Sequence, residues 1–173
     1  RNPWDTNSHR SPGGSSSGAG VSLGEKSALL AIGSDTAGSV RIPASMTGNV
    51  GMRPTAGRWS TKGIVPLSSP LDTAGPLTRT VADLAISFSS IDPLIREEPI
   101  SFISRLRNAS LSDFHIGVCD WYFNDCEPGI SEGVKKAIDE LVYKGLRTSS
   151  INLPHLDEVT TIFSKGGLHI GEF

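Results

Sequence analysis

Ala28-Leu29-Leu30-Ala31-Ile32-Gly33-Ser34-Asp35-Thr36-Ala37-Gly38-Ser39-Val40-Arg41-Ile42-Pro43 is the stretch on which the fold turns. Its first six residues form an apolar run closed by glycine. That length and terminator suit a strand buried on both faces, as in a parallel sheet. Ser34 to Ser39 then reads as a tight turn. Val40 to Met46 starts as a helix with Pro43 in its first turn, where a missing N–H does no harm. A strand that passes into a helix through a glycine-containing turn presents backbone N–H groups with no helical partner. A serine oxygen at such a turn could attack a carbonyl whose new negative oxygen falls among those donors, a nucleophile beside an oxyanion hole. The same residues also suit a plain strand-to-helix turn capped by Ser39, and local chemistry does not choose between the two. The Gly-x-Ser-x-Gly elbow is absent, so the motif is not that of an α/β-hydrolase.

A serine hydroxyl needs a base. His9, His115, His155 and His169 lie in no recognisable triad setting, and each reads as a surface or structural residue. A lysine can replace histidine where burial or nearby positive charge keeps it neutral. Upstream lies Ser11-Pro12-Gly13-Gly14-Ser15-Ser16-Ser17-Gly18-Ala19-Gly20, which by composition alone is a flexible Gly/Ser loop. A helix can start near Ser16 or Ser17, since serine is a good N-cap. Gly20 to Ser27 has a faint look of a phosphate-binding loop, but Glu25 between Gly24 and Lys26 breaks the spacing.

Together the two serine segments resemble the amidase-signature family. The matching residues are Pro12-Gly13-Gly14-Ser15-Ser16 and Ile32 through Ser45, continued by Gly48 to Thr55, Gly57-Arg58 and Leu71 to Asp83. The resemblance is specific from about residue 2 to 90. It is looser over Ile116-Gly117-Val118 and Glu132 to Gly145. Ser15 and Ser39 stand 24 positions apart, in agreement with the family's two serines. The resemblance implies a Ser–cis-Ser–Lys triad. Ser39 matches the nucleophile, and Ser15 matches the serine in a cis peptide that passes the proton to a neutral lysine. Thr36, Ala37, Gly38 and Ser39 match the segment whose N–H groups form the oxyanion hole. Asp35 and Arg41 match polar positions that hold the loops. The implied reaction is hydrolysis of a small-molecule amide through an acyl-enzyme, without metal or cofactor.

The sequence departs from the pattern in three places. Ser17 and Ala37 stand where the family often has glycine, and both keep the site small. None of Lys26, Lys62, Lys135, Lys136, Lys144 and Lys165 sits in the matching lysine context. The chain opens Arg1-Asn2-Pro3-Trp4, with neither start methionine nor signal-peptide pattern. This reads as a chain whose beginning lies upstream, together with its lysine, and these residues alone are expected to be inactive. Three functions stay open: a free-standing amidase, the ammonia-releasing component of a transfer-RNA-dependent amidotransferase, and an inactive relative that persists as a binding module.

Composition bounds the rest. The 173 residues are 37% hydrophobic and 20% charged, with a net charge of −2, so a basic nucleic-acid surface is not expected. No apolar run is long enough for a membrane span. Cys119 and Cys126 are too few for a disulfide framework and read as free thiols in a reducing cytoplasm. The expected fold class is α/β, an amidase-signature fold with a mixed sheet flanked by helices on both faces, here incomplete. Residues 1–173 are expected to be the central part of one such domain, with a signature core over 1–90 and a helix/strand region over 91–173. Further helices are predicted over 80–91, 100–106, 131–146 (with Ser131 as N-cap) and 156–165, and strands over 114–119 and 148–153, whose order implies a right-handed crossover if they pair in parallel. A homodimer is compatible with the resemblance, although no stretch encodes the oligomeric state.

Overall fold

The computed structural model describes residues 1–4 and 7–166. The chain divides into two compact units, one built from residues 1–104, the other from Arg105–Lys165. The first unit contains helix α1 (Ser17–Gly24), strand β1 (Leu30–Asp35), helix α2 (Arg41–Met46), strands β2 (Val50–Gly51) and β3 (Thr73–Thr78) and helix α3 (Val81–Ile91). Helix α4 (Pro99–Arg107) contains the point of division. The second unit contains β4 (His115–Val118), α5 (Pro128–Tyr143), β5 (Arg147–Ser150) and α6 (Leu156–Gly166).

In the first unit the sheet order is β1-β3-β2, and both pairings are antiparallel. This corrects the parallel, doubly buried strand expected at Ala28–Gly33. The apolar run does form a strand, but among the described residues it sits at a sheet edge, and Ile32 is 53% exposed. The buried strand is β3, all six residues of which are covered. Its Gly75-Pro76 pair disguised it, because proline cannot donate to a ladder and glycine adds no side chain to pack. The glycine is required there: a Cβ at Gly75 would lie 2.3 Å from the Met52 carbonyl oxygen.

Side chains on a strand alternate between faces, so β3 serves two cores. Leu77 packs with Leu23 of α1, Ala44 of α2 and Val40 just before α2. On the other side Ala74 packs with Trp59 and Phe88, whose rings stack at 5.6 Å. Helices therefore cover both faces of β3, as expected. Helix α3 begins as its sequence indicates, with the Thr80 hydroxyl accepting from the Asp83 N–H.

The second unit is a β-α-β arrangement in which β4 and β5 pair in parallel, His115 opposite Arg147 through Val118 opposite Ser150. Helix α5 starts at Pro128 rather than at Ser131. Proline with its preset φ occupies the first turn, and the Ser131 hydroxyl donates back to the Pro128 carbonyl instead of capping. Strand β5 stops at Ser150, short of the expected Leu153. No helix among the described residues is long and apolar enough to cross a membrane.

Candidate active site

The C-terminal end of β1 and the N-terminus of α2 enclose the turn Thr36–Val40. Asp35, the last residue of β1, is fully buried and organises that turn. Its carboxylate accepts from the N–H groups of Gly38 (2.7 Å), Val40 (3.2 Å) and Arg41 (3.4 Å). The Arg41 guanidinium adds a two-pronged contact, Nε and Nη2 each 3.0 Å from one carboxylate oxygen. Burial pushes the Asp35 carboxyl upward, yet the Arg41 contact and the Gly38 and Val40 N–H groups outweigh it and hold the pKa below the ordinary value. The same pairing raises Arg41. Asp35 is therefore a fixed anion around which the turn winds.

Gly38 has φ of +116°, a conformation that side-chain-bearing residues avoid. Its N–H, counted with Thr36 and Ala37 among the expected oxyanion donors, is committed to Asp35. The N–H groups of Thr36, Ala37 and Ser39 enter no hydrogen bond among the described residues. Ala37 is exposed and Ser39 half-buried. Three N–H groups on one turn thus have no protein acceptor among the described residues.

The upstream serine segment comes to this turn. The Ser16 N–H donates to the Ser39 carbonyl at 3.1 Å, and the Ser16 hydroxyl lies 3.4 Å from the Ser34 carbonyl. The Gly14–Ser15 peptide bond is cis. Ser17 opens α1 and donates its hydroxyl to the Gly13 carbonyl. Close packing makes Gly33 obligatory, since a Cβ there would lie 2.4 Å from Ser16 Oγ. An open cleft of about 410 Å³ lies alongside, lined by Ser15, Ser16, Ala19, Ile32, Gly33, Ser34 and Ile64. Ser15 Oγ and Ser39 Oγ make no side-chain hydrogen bond among the described residues.

Two further residues reach this site; both lie in segments that match the family pattern, but sequence reasoning assigns neither a role. Asp72, just before β3, accepts from the Thr36 hydroxyl and from the N–H groups of Leu67 and Ser68. Arg53 sits 3.6 Å from Asp35 Oδ1 through Nε and donates from Nη2 to the Leu71 carbonyl. The β1–β3 register that sets Asp35 opposite Thr73 brings Asp72 to the turn, the β2–β3 pairing brings Arg53 alongside, and no local pattern signals either pairing.

The remaining candidates lie elsewhere. His115 bonds Ser149, His155 bonds Glu158 and His9 contacts Arg1; His169 falls outside the described residues. Lys135 rests over the Phe123 ring. The Gly20–Ser27 stretch is the end of α1 and the turn after it, not a phosphate loop. Among the described residues no group of His, Cys, Asp and Glu side chains gathers into a metal site.

Residues 1–169 match the family model described as Amidase. The chain is 49% identical, over 99% of its length, to 2-amino-5-chloromuconic acid deaminase of Comamonas testosteroni, of which it covers 36%. It is 38% identical, over 89% of its length, to a component of the glutamyl-tRNA(Gln) amidotransferase of Akkermansia muciniphila, of which it covers 34%. Among solved structures, the corresponding glutamyl-tRNA(Gln) amidotransferase component of Thermotoga maritima superposes with a TM-score of 0.79 at 32% identity, over 99% of this chain and 39% of that one. The chain thus spans about a third of the length of the curated relatives it matches.

Proposed function

Because the chain belongs to the amidase family, we propose that it carries the nucleophilic part of an amide hydrolase, with Ser39 as nucleophile and Ser15 as proton relay. The observation that carries this reading is the Ser16 N–H bond to the Ser39 carbonyl. It ties two serine segments 24 positions apart beside a turn with open N–H donors. Ser39 Oγ attacks the amide carbonyl, and its proton passes to Ser15 as the Ser15 proton passes to a neutral lysine. Within the family pattern that lysine belongs to a part of the domain that these residues do not include. The N–H groups of Thr36, Ala37 and Ser39 receive the new oxyanion. Collapse breaks the carbon–nitrogen bond, and the proton returns through Ser15 to the departing amine. Water then attacks the Ser39 ester by the same relay and releases the acid. Asp35 and Arg41 keep the turn in shape. The cycle needs no cofactor.

Similarity to a protein named as a deaminase favours a small linear amide that loses ammonia, since the acyl-enzyme cycle needs an amide carbonyl for Ser39 to attack. Replacing Ser39 by Ala in the intact protein is expected to abolish ammonia release from such substrates; undiminished release would refute the assignment. A second reading is favoured by the several relatives named as components of a transfer-RNA amidotransferase. It requires glutamine as preferred donor and stable partner proteins. Full activity of the isolated protein with no use of glutamine would exclude it. Both units are read as parts of one amidase domain, in a cytoplasmic protein that forms a homodimer if it acts without other partners.

A further inference from the structure

The Thr36–Val40 turn is gripped by two buried carboxylates, only one of which belongs to the serine motif. Asp35 holds it from inside, through Gly38, Val40 and Arg41. Asp72 holds it from the neighbouring strand. Its Oδ2 is fixed by the Leu67 and Ser68 N–H groups at 2.8 and 3.1 Å, and its Oδ1 accepts the Thr36 hydroxyl at 2.5 Å. Asp72 is itself 7% exposed. Geometrically the contact is one more rung of the β1–β3 ladder, because Asp35 faces Thr73 and the next pair outward is Thr36 with Asp72. Here the rung is made by side chains. Arg53 runs alongside, from Asp35 Oδ1 to the Leu71 carbonyl, and ties the two carboxylate-bearing segments together.

Resting on the reading of Ser39 as nucleophile, we propose that Asp72 is a positioning residue for catalysis, which sets the direction of the Thr36 N–H by holding the Thr36 hydroxyl. Thr36 contributes one of the three open donors of the turn and, unlike Gly38, Val40 and Arg41, makes no hydrogen bond to the Asp35 carboxylate. A donor aimed beforehand at the developing oxyanion stabilises it without reorganisation, whereas a free peptide must be ordered during the reaction. Asp72 never touches the substrate, so its loss acts on the chemical step more than on binding. The threonine matters for its hydroxyl, so serine serves and valine does not.

The test is the reaction of Ser39 with a fluorophosphonate in the intact protein, resolving the maximal labelling rate from the concentration at half-maximal rate. Thr36→Val keeps the side-chain shape and leaves Asp72 bound to Leu67 and Ser68. It is expected to lower the maximal rate by about tenfold or more with an unchanged half-saturation concentration, while Thr36→Ser stays within about twofold of the parent. Asp72→Asn is expected to slow labelling likewise, and Asp72→Asn/Thr36→Val to be no slower than the slower single variant, since both cut one link. Thr36→Val labelling at the parental rate, or Thr36→Ser as slow as Thr36→Val, overturns the positioning role while leaving Ser39 as nucleophile. Absence of label from the folded parent overturns the nucleophile itself, and the positioning role with it.

Discussion

Asp35 illustrates how one buried side chain can shape a reactive turn. An isolated carboxylate inside a protein is costly, and it becomes tolerable when every oxygen is filled by donors. At Asp35 those donors come from the turn it shapes, so desolvation is offset by the same contacts that fix Gly38, Val40 and Arg41. Asp35→Asn replaces one acceptor oxygen by a donor that faces other donors. It is expected to destabilise the protein by about 3 kcal/mol, measured by chemical denaturation, and to abolish Ser39 labelling even under strongly native conditions. Labelling at the parental rate in a destabilised but folded variant would separate Asp35 from the turn. Ser39 was legible as one of the two readings of the strand-to-helix turn. Asp35, Arg41 and Thr36 were legible only through the resemblance. Asp72 and Arg53 were not, since 36 and 18 residues separate Asp72 from Thr36 and Arg53 from Asp35 and only the strand register joins them.

At the scale of elements, a second carboxylate fixes the end of α3. Asp92 follows Ile91 and binds Arg58 Nε, Arg58 Nη2, the Trp59 indole N–H and the Leu94 N–H. It thereby anchors the Arg58-Trp59 loop to the helix whose Phe88 stacks on Trp59. The Arg58 contact, opposed by burial and aided by Trp59 and Leu94, lowers the Asp92 pKa to about 2. A carboxyl with a depressed folded pKa contributes stability that is complete above its unfolded value of about 3.9 and is lost as the pH falls through the folded value. Melting temperature is therefore expected to fall between about pH 4 and pH 2, and Asp92→Asn to flatten that part of the profile while lowering stability at neutral pH. An unchanged slope in the variant would remove Asp92 from the acid transition. The helices α3, α4, α5 and α6 were legible from apolar spacing and proline positions, to within a few residues. The register of β1 was not. An apolar run looks the same at a sheet edge beside a cleft as in the middle of a parallel sheet, and the true central strand hid behind Gly75-Pro76.

At the scale of the whole molecule, α/β character and family were readable because the serine motifs are long, specific and correctly spaced. The motifs brought Ser15 and Ser39 to one turn in anticipation, and the Ser16–Ser39 backbone bond is the physical form of that spacing. What remained illegible is set by long-range contact: which N–H groups are open, which carboxylates grip the turn, and that the contacts divide within α4 rather than near residue 90. For the proposed substrate, the deaminase and amidotransferase relatives pose a direct alternative, decided by ammonia release from other small linear amides against glutamine. The most direct test of the serine relay is to treat the intact protein with a fluorophosphonate and map the modified peptide by mass spectrometry. Label confined to Ser39, and lost in Ser39→Ala, is the predicted result; a folded protein that carries no label on Ser39, or carries it on another serine, would contradict the assignment.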